Sequence, residues 1–214
     1  MHSSKHVLVW LQRMIIIALV IVFTQTAPAS AAPQSLARDY PAGFNEQFTN
    51  SASNWGVASG RWSYGGGLLR GNGVTNGFSK AMFTKATYAN FDYMVKMRRT
   101  GCPNCSNELV FRSTSRGAVY FAYNNMGSYT VYSCSTSVCT TWKKWTATTA
   151  IIQGGYNVLR VVTVGSTYQF YINNKLMTQG TATGFSSGSV GMDFFSWVTA
   201  GNYLDVDYAI LNKK

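Results

Sequence analysis

From about Asp39 to Leu211 the chain is built of short runs of Val, Ile, Tyr, Phe and Trp, interrupted roughly every ten residues by Gly, Asn and Ser. No stretch carries a convincing helical period, and that rhythm limits the chain to an all-β architecture of the sandwich type. Phe91-Asp-Tyr-Met-Val-Lys-Met-Arg98 alternates cleanly, as do Ala118–Tyr123, Tyr129–Tyr132, Val158–Val164 and Tyr168–Ile172. Ile172-Asn-Asn-Lys-Leu176 reads as a two-residue hairpin turn, because Asn tolerates the positive φ that such turns require. Three of the four prolines fall before residue 42, so the later strands run uninterrupted. With no linker, charge block or internal repeat, one domain over 39–214 is expected.

The N-terminus follows different rules. Lys5 and Arg13 precede Met14–Phe23, ten unbroken apolar residues, and Ala29-Ser30-Ala31 offers a small-residue cleavage site. Residues 1–31 are expected to be a signal-peptide helix and 32–38 a short extension. The apolar run falls well below the ~20 residues that span a bilayer, so the processed chain is expected to be secreted rather than membrane-spanning. Processing takes 18 basic residues to 16 against 7 acidic ones, a net charge of +9, and removes both histidines, His2 and His6. A chain without His supports neither a Ser-His-Asp triad nor a Cys-His nucleophile, nor a His-ligated zinc centre. In an oxidising compartment the four cysteines are expected as disulfides. Local bridges Cys102 to Cys105 and Cys134 to Cys139 would staple two loops, and a pairing between the two loops is the alternative.

Phe44 and Phe48, Asn54-Trp55, Gly60-Arg-Trp62 and Gly67-Leu-Leu-Arg-Gly71 open a pattern that continues through Asn107-Glu-Leu-Val-Phe-Arg112 and Tyr120-Phe-Ala-Tyr123. Asn157–Val161, Phe170–Asn173, Gly188-Ser-Val-Gly191 and Leu204–Ile210 complete it. This order resembles the concanavalin A-like lectin and glucanase jelly roll, in particular its laminin-G-like and 3-keto-disaccharide-hydrolase-like bacterial branch. The resemblance implies two antiparallel sheets with a concave face that binds sugars. It also implies that the strand Asn107–Arg112 lines that face, with Glu108 and Arg112 as contacts.

Catalysis is not implied with it. Retaining hydrolysis needs two carboxyls about 5–5.5 Å apart, and no Glu-x-Asp-x-Glu strand occurs. The acids are dispersed, and the only i, i+2 pair, Asp205 with Asp207, reads as a structural or calcium-linked feature. The expectation is therefore a non-catalytic lectin-like binder without a cofactor, with a glycoside hydrolase using Glu108 and an aspartate as the alternative, and an envelope or adhesion protein as a third reading.

Sugars stack on aromatic rings and are held by planar polar groups. Trp142 and Trp145 fall on opposite faces of a strand, so one enters the core and the other remains available. Lys143 and Lys144 suit an edge strand. Arg98 and Glu108 are expected to pair across the Cys102–Cys105 hairpin, and Tyr120, Asn124 and Tyr129 are further candidate contacts. The dispersed positive charge favours acidic glycans or the cell envelope, and no nucleic-acid fold signature is present.

Overall fold

The computed structural model describes residues 43–49 and 52–214; the expected signal peptide and extension lie outside them. Fifteen strands are described: β1 (Phe44–Glu46), β2 (Trp55–Ser59), β3 (Arg61–Gly65), β4 (Leu68–Asn72), β5 (Gly77–Phe83), β6 (Phe91–Thr100), β7 (Asn107–Thr114) and β8 (Gly117–Asn124), followed by β9 (Ser128–Ser135), β10 (Cys139–Ala147), β11 (Asn157–Val164), β12 (Thr167–Ile172), β13 (Lys175–Thr181), β14 (Ser189–Ser196) and β15 (Tyr203–Lys213). No helix occurs among the described residues.

The strands form two antiparallel sheets. One runs β13-β12-β11-β6-β15-β4-β3, with β1 added on β15; the other runs β10-β9-β8-β7-β14-β5-β2. β15 is the seam of the first, pairing with β6 along its length and with β4 and β1 at its two ends. The alternating apolar residues of both sheets meet in one core, in which Tyr93, Val95, Leu109, Phe111, Phe121, Phe170, Phe194 and Val206 are buried. Each large ring removed from water contributes about 2–3 kcal/mol. Asn173 and Asn174 both take positive φ at the β12–β13 turn, as their sequence predicts.

Two arginines close the core at opposite ends of β6. Arg99 donates to Phe195 O, Ser196 Oγ and Asn202 Oδ1, and burial lowers its pKa to about 10. Arg112 is the other. Its place on β7 would by alternation share the outward face of Glu108, but an extra residue between Phe111 and Thr114 forms a β-bulge in which Arg112 has φ of 47°. The bulge turns the side chain inward, where it meets Ala89 O, Phe185 O, Gly165 O and Tyr168 Oη. Arg112 is thus a buried structural residue, not the expected glycan contact.

Both disulfides are the local ones, Cys102–Cys105 and Cys134–Cys139. The second closes the β9–β10 hairpin. The first does not sit in a hairpin: β6 and β7 belong to different sheets, and Gly101–Ser106 carries the chain between them. Gly117, opposite the Cys134–Ser135 segment, has φ of 140°, and a Cβ there would meet Cys134 O at 2.0 Å and Ser135 Cα at 2.8 Å. Gly117→Ala is therefore expected to destabilise the fold by about 2–3 kcal/mol, read as a lowered urea midpoint; an unchanged midpoint would show that the hairpin yields freely.

Candidate functional site

The outward face of the seven-stranded sheet carries a charged row across three neighbouring strands. Lys80 on β5 stands opposite Asp193 on β14, and Asp193 stands opposite Glu108 on β7. Residues opposed in this way project to the same side of the sheet. Glu108 and Asp193 are 1% and 2% exposed. Two buried carboxyls on adjacent strands are expensive unless partnered or protonated, and each has a partner. Tyr132 Oη donates to Glu108 Oε2 at 2.8 Å, and Lys80 Nζ lies 3.3 Å from Asp193 Oδ2. Lys80 Nζ also donates to Tyr120 Oη at 3.2 Å, and the Tyr120 and Tyr132 rings stack with centroids 4.8 Å apart. The two tyrosines therefore link the lysine–aspartate pair to the glutamate. Burial, together with the neighbouring charge of Glu108, pushes Asp193 up to about 8 against the opposing pull of Lys80.

This row floors a cleft of about 580 Å³ and a smaller basin of about 290 Å³ beside it. Phe78 and Tyr132 line both and form the ridge between them. Glu108 opens into the larger cleft with Asn124, Thr130, Thr141 and Lys144, and Trp145, Phe195 and Trp197 wall it. Asp193, Lys80 and Tyr120 open into the smaller basin with Ser59. Trp145 is 49% exposed and Trp197 42%, and the Phe195 ring packs edge-on against Trp197 at 4.7 Å and against Phe78 at 5.1 Å. Cys105 and Cys139 both line the cleft, so one disulfide braces the crossing between sheets at its rim and the other braces the β9–β10 tip. Rims held in this way are pre-organised, which lowers the entropic cost of closing on a ligand.

The sequence candidates divide accordingly. Glu108, Asn124 and Trp145 line the larger cleft, and Tyr120 the smaller basin. Trp142 faces the core, donating Nε1 to Ser133 Oγ and meeting the Tyr168 ring at 5.1 Å. Tyr129 is also inward, its hydroxyl donating to Met177 O, because Tyr132 rather than Tyr129 has the outward parity on β9. Arg98 does not pair with Glu108: it lies on β6 in the other sheet, facing outward on Asp205. Asp205 and Asp207 do not act as a pair, since a bulge separates them; Asp205 is held by Arg70 and Arg98, and Asp207 by Lys96. Their carboxylates are thus each ion-paired with cationic side chains. Sequence reasoning missed Lys80, Asp193, Tyr132, Phe78, Phe195 and Trp197. A lone acid within the apolar run Val190-Gly-Met-Asp-Phe-Phe195 was the available signal.

No family model and no curated relative matches the sequence. Solved structures do match. A carbohydrate-binding module, CBM66 from Bacillus subtilis, superposes with a TM-score of 0.60 at 16% identity, over 72% of this chain and 94% of that one. A Bacillus licheniformis beta-glucanase gives 0.65 at 12% identity, over 80% and 98%. The Crh5 transglycosylase in complex with NAG gives 0.60 at 12% identity, over 82% and 86%. The paired antiparallel sheets and these superpositions together make the chain a concanavalin A-like jelly-roll sandwich.

Proposed function

We propose that the chain is a lectin-like carbohydrate-binding protein that takes a poly- or oligosaccharide into the cleft of the seven-stranded sheet. One observation carries this reading: the cleft joins exposed indole faces, Trp145 and Trp197, to a floor of Glu108, Asn124 and Thr130. Stacking surfaces beside fixed acceptors and donors match a pyranose, which has apolar C–H faces and an equator of hydroxyls. The fold's solved neighbours include a carbohydrate-binding module and enzymes named for acting on glucans, which supports a saccharide partner. Export through the N-terminal segment, with acidic or envelope glycans as partners, belongs to the same proposal.

Isothermal titration against a panel of neutral and acidic polysaccharides tests it. Trp145→Ala is expected to weaken the bound glycan roughly tenfold, the loss of about 1–1.5 kcal/mol of stacking, while leaving the melting temperature within a degree or two, because the ring is half-exposed. Binding to none of the panel, or binding indifferent to Trp145, would refute the reading.

The juxtaposed Glu108 and Asp193 favour a second reading, hydrolysis or transfer at a glycosidic bond. Asp193, which keeps its proton near neutral pH, would protonate the leaving oxygen, and Glu108 would act as nucleophile or base. Reducing-sugar release abolished in Glu108→Gln is the outcome it requires. Binding is preferred because the two carboxyls open into different basins on either side of the Phe78–Tyr132 ridge, whereas hydrolysis needs both to address one bond.

A further inference from the structure

On the opposite face of the sandwich, the outer surface of the eight-stranded sheet, the carboxylate of Asp205 is buried beneath two arginines. Asp205 on β15 stands opposite Arg70 on β4 and Arg98 on β6. Arg70 Nε donates to Asp205 Oδ1 at 2.6 Å and Arg98 Nη2 to Oδ2 at 3.0 Å. The Asp205 side chain is 1% exposed, while those of the two arginines are 44% and 38% exposed. One carboxylate thus anchors two guanidinium groups from below, neutralises one, and leaves a positive charge at the surface. The anchoring uses one nitrogen of each fork. Neither terminal nitrogen of Arg70, nor Nη1 of Arg98, has a hydrogen-bond partner among the described residues.

Both guanidiniums are also held in orientation by rings. Arg70 lies 5.2 Å from the Tyr203 ring centroid and Arg98 4.8 Å from that of Tyr156. Lys96, ion-paired with Asp207, adds a cation beside Tyr156 and Tyr208 at 5.1 and 5.9 Å. An ordinary surface arginine loses rotamer entropy when it captures an anion; these two are already fixed, so less is lost per bond formed. An oriented fork with unused donors fits a planar carboxylate bidentately, and flanking tyrosine faces fit the ring that carries it. A ring-free polyanion would leave those faces unused.

We propose that Arg70 and Arg98, with Tyr156 and Tyr203, form a second binding site on this face for a polysaccharide bearing uronate carboxylates. The site shares no residue with the cleft of the seven-stranded sheet and does not depend on the reading given to that cleft.

Polygalacturonate and its fully methyl-esterified form present the same rings with and without charge. The protein is expected to bind the acid polymer and not the ester, and raising the salt concentration should weaken that binding steeply. Arg70→Gln, which leaves the Arg98–Asp205 pair in place, should weaken polygalacturonate binding roughly tenfold, and Tyr203→Leu should weaken it as well. Lys85→Gln, which removes an exposed cation belonging to neither site, should leave it unchanged. Circular dichroism on each variant confirms folding, and Arg98→Lys, which keeps a cation over Asp205 but loses the fork, serves if a glutamine variant unfolds. Equal affinity for ester and acid, indifference to both Arg70→Gln and Tyr203→Leu, or equally tight binding of inorganic polyphosphate or single-stranded DNA would overturn the proposal.

Discussion

Arg112→Met is expected to cost about 4 kcal/mol of folding stability, lowering the urea midpoint sharply without removing a ligand contact. The side chain is 1% exposed and ties together three segments. It bonds Ala89 O ahead of β6, Gly165 O in the β11–β12 turn and Phe185 O ahead of β14, and it stacks on Tyr168 at 4.9 Å. Methionine keeps much of the aliphatic volume but removes five hydrogen bonds of a buried guanidinium, each contributing roughly 1–3 kcal/mol before relaxation, while Phe185 O keeps a second donor, Tyr168 Oη. The measurement separates two roles that the sequence left together. If Arg112 were a glycan contact on the open face, the variant would stay as stable as the parent and lose binding; the fold predicts normal affinity from the fraction that remains folded.

Asp193 carries the opposite sign. Its pKa is raised on folding from the ordinary carboxylate range to about 8, so between those values the native chain holds a proton that the unfolded chain has released. The unfolded state then binds fewer protons, and stability must fall as pH rises through that window, by up to about 1.4 kcal/mol per unit. Below pH ~4 both states are protonated and the penalty vanishes. Asn cannot ionise, so Asp193→Asn should be nearly neutral at pH 4 and increasingly stabilising relative to the parent towards pH 8, an unusual outcome for a change at a buried residue. Urea unfolding of both proteins at pH 4, 6 and 8 measures it; a gap that stays constant with pH would mean that Lys80 holds Asp193 ionised throughout. A stabilised variant that also loses glycan affinity would fit a functional site maintained at the expense of stability.

The architecture was legible because strand rhythm is local. The alternation in Phe91–Arg98 and Ala118–Tyr123 lies within β6 and β8, and the Asn173–Asn174 turn needed only its own two residues. Half of the site was legible for the same reason: Glu108 and Trp145 have outward parity on strands that could be recognised singly. What parity could not supply was the identity of each strand's neighbours. Glu108 and Asp193 are 85 residues apart in sequence and opposed in space, so a search for acids at alternating positions along one strand passed over them. Arg98 failed because a short Cys-bearing loop resembles a hairpin, whereas it crosses between sheets. Arg112 failed because one inserted residue reverses parity, and nothing in Asn107–Arg112 itself announces the insertion.

The seam strand β15 also sets a clock. Its eleven residues are the shared partner of β6, β4 and β1, each of which lies far earlier in the chain. Until it docks, the eight-stranded sheet is three pieces with open edges, β13-β12-β11-β6, β4-β3 and β1, and the residues that β15 will face are separated from it by a hundred or more positions. Such long-range closure is slow, and exposed edges invite pairing with other chains. The sheet therefore closes in one late event, and the yield should depend more on what shields those edges in the interval than on the stability finally reached.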